Sequence, residues 1–189
     1  MWWPNSRTEE NVLGQLALSV LLITNSQDIK TQPECLYDQK ILSLSFQEFD
    51  QRTDGGWRDL ANQPGCEKKA ADIIKAYRQN SEQQLSTLYW HEAQLRAESG
   101  AYSQAISLME KTLKQDDLFA WNPYVRATIA FLRNRKGDLK RERTALANSK
   151  PPENWTGEWP QNLAVVDGLI RCFGKPYKQA YSRQCRQSE

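Results

Sequence analysis

Ligands for a metal ion are scarce in this 189-residue chain. His91 is the only histidine, and the four cysteines form no Cys-x-x-Cys pair. Structural zinc sites draw on closely spaced Cys and His residues, so the sequence predicts no metal site. It also contains no recognisable cofactor motif, and we expect no cofactor.

Long apolar runs and strand signals are also few. The only strongly apolar run, residues 12–24, is too short to span a bilayer, which takes about 20 residues, so we expect no membrane span in the mature chain. Its length matches the core of a secretory signal cleaved after Ser26, although Arg7 is outweighed by Glu9 and Glu10. The alternative is an amphipathic helix whose apolar face contains Leu13, Leu16, Ala17, Val20 and Leu21. Residues 1–26 are therefore predicted to be a signal segment or an N-terminal helix, and residues 27–189 a single domain.

The four cysteines favour export. An even count without metal-ligand spacing indicates disulfides, and pairing by sequence proximity joins Cys35 to Cys66 and Cys172 to Cys185. Each bridge would contribute about 3 to 4 kcal/mol by the loop-entropy estimate. We therefore expect a periplasmic or extracellular protein. The alternative is four buried free thiols in a cytoplasmic protein.

Residues 88–117, LYWHEAQLRAESGAYSQAISLMEKTLKQDD, form the most informative segment. The apolar spacing of the first half fits a helical period, and Gly100 supplies the left-handed position that ends a helix. A second helix follows with Ser103 as its predicted N-cap. Its apolar stripe consists of Ala105, Ile106, Met109 and Leu113. Two amphipathic helices joined by so short a turn pack antiparallel and leave one face uncovered, so the hairpin requires neighbouring helices.

Helical signals continue on both sides of this hairpin. We predict helices at residues 36–44, 57–62, 67–79, 82–98, 102–114, 122–135, 139–148, 162–172 and 177–187, and a short helix that begins at the Ser45–Glu48 capping box. Gly65, Gly100 and Gly137 lie 35 and 37 residues apart, and a helical run follows each of them. This period is typical of a two-helix solenoid repeat.

The central hairpin resembles a tetratricopeptide repeat (TPR). The family has a small residue in its first helix, a Gly-x-Tyr turn and an alanine on the packing face of its second helix, and the matching residues here are Ala93, Gly100, Tyr102 and Ala105. The chain departs from the pattern at Glu92, Thr112 and Asp117, where leucine, alanine and proline are typical. The resemblance implies an all-α fold of stacked antiparallel helical hairpins, a short TPR-like solenoid whose first helices line a concave groove.

That groove is the candidate binding surface. Its predicted lining residues are Trp90, Gln94, Tyr124, Phe131 and Asn134. Aromatic residues with polar neighbours are typical of interface hot spots, although large aromatics at helical spacing are more often core residues. We therefore predict a non-catalytic adaptor that binds a protein or peptide.

Two alternatives remain open. The first is an enzyme that uses His91 or a groove carboxylate, but the sequence provides His91 with neither a nucleophile nor an orienting carboxylate. We interpret the acidic cluster of Glu48, Asp50 and Asp54 as helix caps and solvated charges.

The second alternative is an anionic-polymer-binding module that uses the basic turn at residues 133–143. This turn contains Arg133, Arg135, Lys136, Lys140, Arg141 and Arg143 against Asp138 and Glu142. Because the whole chain has a net charge of only +2, nucleic acid binding is not expected, and a solvated turn is the simpler interpretation.

Overall fold

The computed structural model describes residues 34–81 and 85–187, all without β-strand. The predicted signal segment or helix at residues 1–26 lies outside the described residues. The described part begins with a 3₁₀ helix at Gln39–Ser43 and a π-helical turn at Gln47–Gln51. The α-helices are α1 Trp57–Ala61, α2 Glu67–Gln79, α3 Leu85–Glu98, α4 Tyr102–Glu110, α5 Trp121–Leu132, α6 Lys136–Ala147, α7 Leu163–Arg171, α8 Tyr177–Ala180 and α9 Arg183–Arg186. The all-α prediction is confirmed.

Short turns join α3 to α4 and α5 to α6, and the two helices of each pair pack along one another. Both turns end the first helix in the same way. Gly100, at φ 81°, follows α3, and the amide N–H of Ala101 donates to the carbonyl of Arg96. Asn134, at φ 56°, follows α5, and the amide N–H of Arg135 donates to the carbonyl of Ala130. These are Schellman ends, which use a left-handed residue to satisfy the last carbonyls of a helix.

Of the three glycines that mark the repeat spacing, two are left-handed. Gly65 and Gly100 adopt positive φ, but Gly137 lies inside the first turn of α6. Asn134 takes its place as the left-handed residue. The Ser103 cap is also wrong, because α4 begins one residue earlier at Tyr102 and has no side-chain cap.

Helix α3 lies between two clusters of buried apolar residues. On one side Leu88 and Leu95 pack with α1 and α2. On the other side Ala93 and Ala97 pack with α4, α5 and the C-terminal helices. The neighbour that the central hairpin required is thus α2, and α3 is apolar on two sides because both are covered.

Each departure from the TPR pattern has a structural role. Glu92 is buried and accepts two hydrogen bonds from Arg78 of α2, at 2.7 and 3.1 Å. Thr112 is buried and donates to the carbonyl of Met109. Asp117 accepts the amide N–H groups of residues 121 and 122, both at 2.7 Å, and so satisfies the first turn of α5.

Both predicted disulfides are present. The Cys35–Cys66 bridge ties the segment before the 3₁₀ helix to the start of α2, and Cys172–Cys185 ties the end of α7 to α9. Disulfides form and persist in oxidising compartments, which indicates that this chain matures in one. Within the described residues, no helix is both long enough and apolar enough to cross a membrane.

The helix predicted at residues 177–187 is divided into α8 and α9. Ser182 between them is extended, and the Arg186 guanidinium donates to the carbonyl of Tyr181. Gly168 of α7 allows the close approach of this segment, since a Cβ there would lie 3.2 Å from the carbonyl oxygen of Cys185. The break positions Tyr181 for contact with α3 and α5.

Candidate functional site

A pocket of about 400 Å³ opens between α3, α5 and the residues that follow α8. Its lining residues are Ser86, Thr87, Trp90, His91, Gln94, Lys114, Trp121, Tyr124, Asn162 and Tyr181. Three of the five predicted groove residues belong to it: Trp90, Gln94 and Tyr124. The size is within the range of small-molecule sites, roughly 300 to 1,000 Å³.

Three aromatic side chains form one wall of the pocket. The ring centroid of Trp90 lies 4.8 Å from that of Trp121 and 5.0 Å from that of Tyr124. Trp90 and Tyr124 are only 6% and 2% exposed. Each of them is therefore a core residue that also lines the pocket. Trp121 is fixed by a hydrogen bond from its indole N–H to the carbonyl of Thr112. The wall is therefore rigid.

Tyr181 closes the pocket from the C-terminal side. Its hydroxyl accepts a hydrogen bond from the Gln94 amide at 3.0 Å and lies 3.0 Å from the hydroxyl of Tyr124. Burial, followed by the proximity of Tyr181 and Tyr177, raises the pKa of Tyr124 well above its ordinary value. Part of the predicted groove is thus filled by the chain's own C-terminal segment.

The remaining two predicted groove residues lie outside the pocket. Phe131 is buried against Phe173 and Tyr177, and Asn134 ends α5. They lie at the far end of α5 from Tyr124. The sequence left open whether the groove is filled by the chain's own helices, and at Phe131 it is filled by Tyr177 of α8.

His91 has the orienting carboxylate that no local sequence pattern revealed. Its Nδ1 lies 2.7 Å from Oδ1 of Asp50, which is fully buried. The same oxygen accepts the indole N–H of Trp57 at 3.0 Å, and Oδ2 accepts the amide of Gln51 at 2.7 Å. The interpretation of Asp50 as a solvated charge is therefore wrong, whereas Glu48 forms the predicted capping box with Ser45 and Asp54 is exposed beside Arg52.

Asp50 is ionised in this setting. Burial alone would raise its pKa, but the hydrogen bond and charge of His91, with the hydrogen bonds from Trp57 and Gln51, lower it below the ordinary value. A carboxylate can only accept hydrogen bonds. His91 must therefore carry a proton on Nδ1, and in the neutral ring the lone pair is on Nε2.

Local backbone geometry brings Asp50 to this position. Gly56 adopts φ 60°, and a Cβ there would lie 2.0 Å from the carbonyl oxygen of Phe49. Only glycine allows the chain to fold back this closely, and Trp57 then reaches Asp50 from the start of α1. Arg58 adds a hydrogen bond to the main-chain oxygen of Asp50. The two adjacent glycines at 55 and 56 were the one sequence signal for this turn.

Lys114 supplies a positive charge among the pocket residues. Its ammonium nitrogen lies 5.7 Å from the centroid of the Trp121 ring, and its main chain is fixed to Asn122 by hydrogen bonds of 2.9 and 2.8 Å. The pocket thus combines an aromatic wall, amide groups, one imidazole and one ammonium group.

The basic turn at residues 133–143 is largely neutralised. Arg133 pairs with Glu110, Arg143 pairs with Asp167, and both Arg135 and Arg141 contact Asp138. Four of its six basic residues are therefore in ion pairs. This reduces the positive field available to a polyanion.

Within residues 34–81 and 85–187, no three His, Cys, Asp or Glu side chains are grouped closely enough to hold a metal ion. No known protein family, curated protein or solved structure matches the chain.

Proposed function

We propose that this chain is an adaptor that binds a short segment of a protein or peptide in the pocket formed by α3, α5 and Tyr181. The observation that carries the proposal is the rigid aromatic wall of Trp90, Trp121 and Tyr124 beside the amide of Gln94. Preorganised aromatic anchors lose little conformational entropy when a partner docks.

The TPR resemblance supports this choice of surface. The two Schellman ends lie 34 positions apart, from Gly100 to Asn134. Trp90 and Tyr124 have the same separation and line the same pocket. So do the fully buried pairs Ala93 with Ala127 and Ala105 with Leu139. In a solenoid of such hairpins the first helices of consecutive repeats line the recognition surface.

The size of the pocket defines the ligand. A volume of about 400 Å³ accommodates a few side chains and is too small for a bound helix. We therefore propose a loop or chain end of the partner as the bound segment. The two disulfides favour a periplasmic or extracellular location for this interaction.

Site-specific photo-crosslinking in the native compartment tests the proposal. A benzophenone amino acid at Ser86, an exposed pocket residue, is expected to capture a partner. The matched control is the same group at Lys140, an exposed residue of the basic turn. The captured segment, made as a synthetic peptide, should bind the wild-type chain and lose at least about tenfold in affinity for Ser86→Trp, which fills the pocket. Equal capture at both positions, or peptide binding that Ser86→Trp leaves unchanged, would overturn the proposal.

A further inference from the structure

The Asp50–His91 pair lies at the same pocket and is more than a packing contact. The buried carboxylate has three side-chain donors, from Trp57, Gln51 and His91, so both of its oxygens are used. The side chain of His91 keeps 19% of its surface exposed, and it lines the pocket. Nδ1 of His91 is thus bound to Asp50, while Nε2 remains as the acceptor nitrogen of the neutral ring.

From this geometry we propose that the Asp50–His91 pair is a general base that activates water for hydrolysis of a small carboxylic ester bound against the aromatic wall. His91 is the catalytic residue, and Asp50 is a positioning residue that fixes the ring and its tautomer. The proposal goes beyond peptide binding, because it requires the pocket to admit a small acyl compound and water. It does not depend on any protein partner.

The imidazole meets the requirements of a general base. Imidazole changes protonation near neutral pH and is the side chain most often used for proton transfer. Its activity requires one defined tautomer and a fixed ring. Asp50 supplies both, since its ionised oxygen must accept the Nδ1 proton. Trp57 also restricts the ring, with its centroid 5.3 Å from that of His91.

The other pocket residues define the class of substrate. Among the described residues of the lining, Lys114 carries the single ammonium group, and one cation matches the single oxyanion of a tetrahedral acyl intermediate. A phosphoryl group spreads its charge over three oxygens and is usually met by several cations. The wall of Trp90 and Trp121 favours an apolar acyl or aryl group. An ester is favoured over an amide because an alkoxide is the better leaving group.

The proposed reaction balances without a further reactant. Water attacks the carbonyl carbon as one of its protons passes to Nε2 of His91, and the C=O π electrons move to oxygen beside Lys114. The oxyanion then collapses, the bond from the carbonyl carbon to the alcohol oxygen breaks, and that oxygen takes the proton from Nε2. The products are a carboxylic acid and an alcohol, and His91 returns to its starting state.

Hydrolysis of p-nitrophenyl acetate and butyrate by the oxidised full chain tests this inference. We expect many turnovers per chain with saturation, which distinguishes catalysis from single acylation of surface lysines. His91→Gln should lower kcat/KM by about 100-fold or more, the usual contribution of a general base. Lys140→Gln is the matched surface control and should leave the rate unchanged. A rate no faster than that of an equal concentration of imidazole, or one unaltered in His91→Gln, would refute the proposal.

A second readout separates positioning from folding. In Asp50→Asn the ring loses the carboxylate that fixes its tautomer, so kcat should fall while KM changes little. Free imidazole should restore part of the rate in His91→Ala. If Asp50→Asn does not fold, the nitrogen NMR shifts of His91 in the wild-type chain decide the point, because an Nε2–H tautomer would contradict the proposed pair. Ester hydrolysis is measured without a peptide and crosslinking without an ester, so failure of the hydrolase and failure of the adaptor are distinguishable.

Discussion

The hydroxyl of Tyr181 lies 3.0 Å from the hydroxyl of Tyr124, although the two residues are 57 positions apart in the chain. Tyr181 follows α8, and Tyr124 is buried within α5, so this contact joins the C-terminal segment to the central hairpins. The guanidinium of Arg186 lies 4.6 Å from the Tyr181 ring centroid and supports the ring from outside. The shape of the pocket therefore depends on how the C-terminal segment is held.

In Tyr124→Phe the free energy of unfolding is expected to fall less steeply at alkaline pH than in the wild type. Burial raises the pKa of Tyr124 in the folded chain, whereas the unfolded tyrosine ionises near pH 10. Above about pH 10 the unfolded state releases this proton and the folded state does not, so stability is present below that pH and falls as pH rises. Each such group contributes a slope of about 1.4 kcal/mol per pH unit, and Tyr124→Phe removes one of them.

Urea unfolding between pH 8 and 11 measures the effect. At pH 8 the variant should lose about 1 kcal/mol, the value of one hydrogen bond, and the difference from the wild type should shrink above pH 10. Tyr89→Phe is the matched control, because Tyr89 is part-buried beside the Arg78 guanidinium and lies outside the Tyr181 contact. Parallel stability curves for Tyr124→Phe and wild type would contradict the prediction.

Gly137→Ala and Gly100→Ala should change stability in opposite directions. Gly137 is helical with open space around it, so alanine should stabilise the chain by about 0.5 to 1 kcal/mol. Gly100 also has open space, but its φ of 81° places alanine in the left-handed region, at a cost of about 1 to 2 kcal/mol. Thermal and urea unfolding of the two variants give the comparison. Destabilisation by Gly137→Ala would show that residue 137 needs the conformational freedom of glycine.

The fold was predictable where local signals agree. Residues 67–79 were predicted as a helix with the observed bounds of α2, because Pro64 and Gly65 interrupt the chain just before it. The left-handed residue after α5 is Asn134, although Gly137 is the more obvious breaker in sequence. Asn134 adopts the left-handed conformation only because α6 must return along α5, and that constraint is tertiary.

The site was also predictable only in part, because some of its contacts depend on tertiary packing. Trp90 and Tyr124 follow from helical spacing, so local periodicity identified them. Asp50 and His91 meet across 41 residues, and neither residue is part of a motif. Asp50 precedes the glycine pair at 55 and 56 by a few residues, and such a segment resembles a solvated turn until the packing of α1 against the π-helical turn is known.

Glu92→Gln should destabilise the chain far more than Glu110→Gln. Glu92 is 3% exposed and pairs with Arg78, while Arg96 bridges it to Asp72 at 3.5 and 2.7 Å. Removing one charge from a buried network leaves its arginines uncompensated, with a loss of about 3 to 5 kcal/mol.

Glu110 provides the matched exposed pair. Its carboxylate lies 2.7 Å from Arg133, but both side chains are about half exposed, at 47% and 40%. Such pairs are worth about 0 to 1 kcal/mol. Urea unfolding at low and high salt separates the two, since only the exposed pair should be screened. Equal effects of Glu92→Gln and Glu110→Gln would mean that water reaches the α2–α3 interface.

Removing each disulfide in turn should show that one bridge contributes more to stability and the other more to the shape of the pocket. The Cys35–Cys66 bridge spans 31 residues and Cys172–Cys185 spans 13, so loop entropy predicts losses of about 4 and about 3 kcal/mol for the respective double alanine variants.

The shorter bridge, however, holds the segment that carries Tyr181. We therefore expect Cys172→Ala with Cys185→Ala to release Tyr181 from Gln94 and to increase acrylamide quenching of Trp90 and Trp121 in the native chain. Cys35→Ala with Cys66→Ala should leave that quenching unchanged despite the larger loss of stability. Equal quenching in both variants would mean that Tyr181 is held by its own contacts and that the Cys172–Cys185 bridge has no role in shaping the pocket.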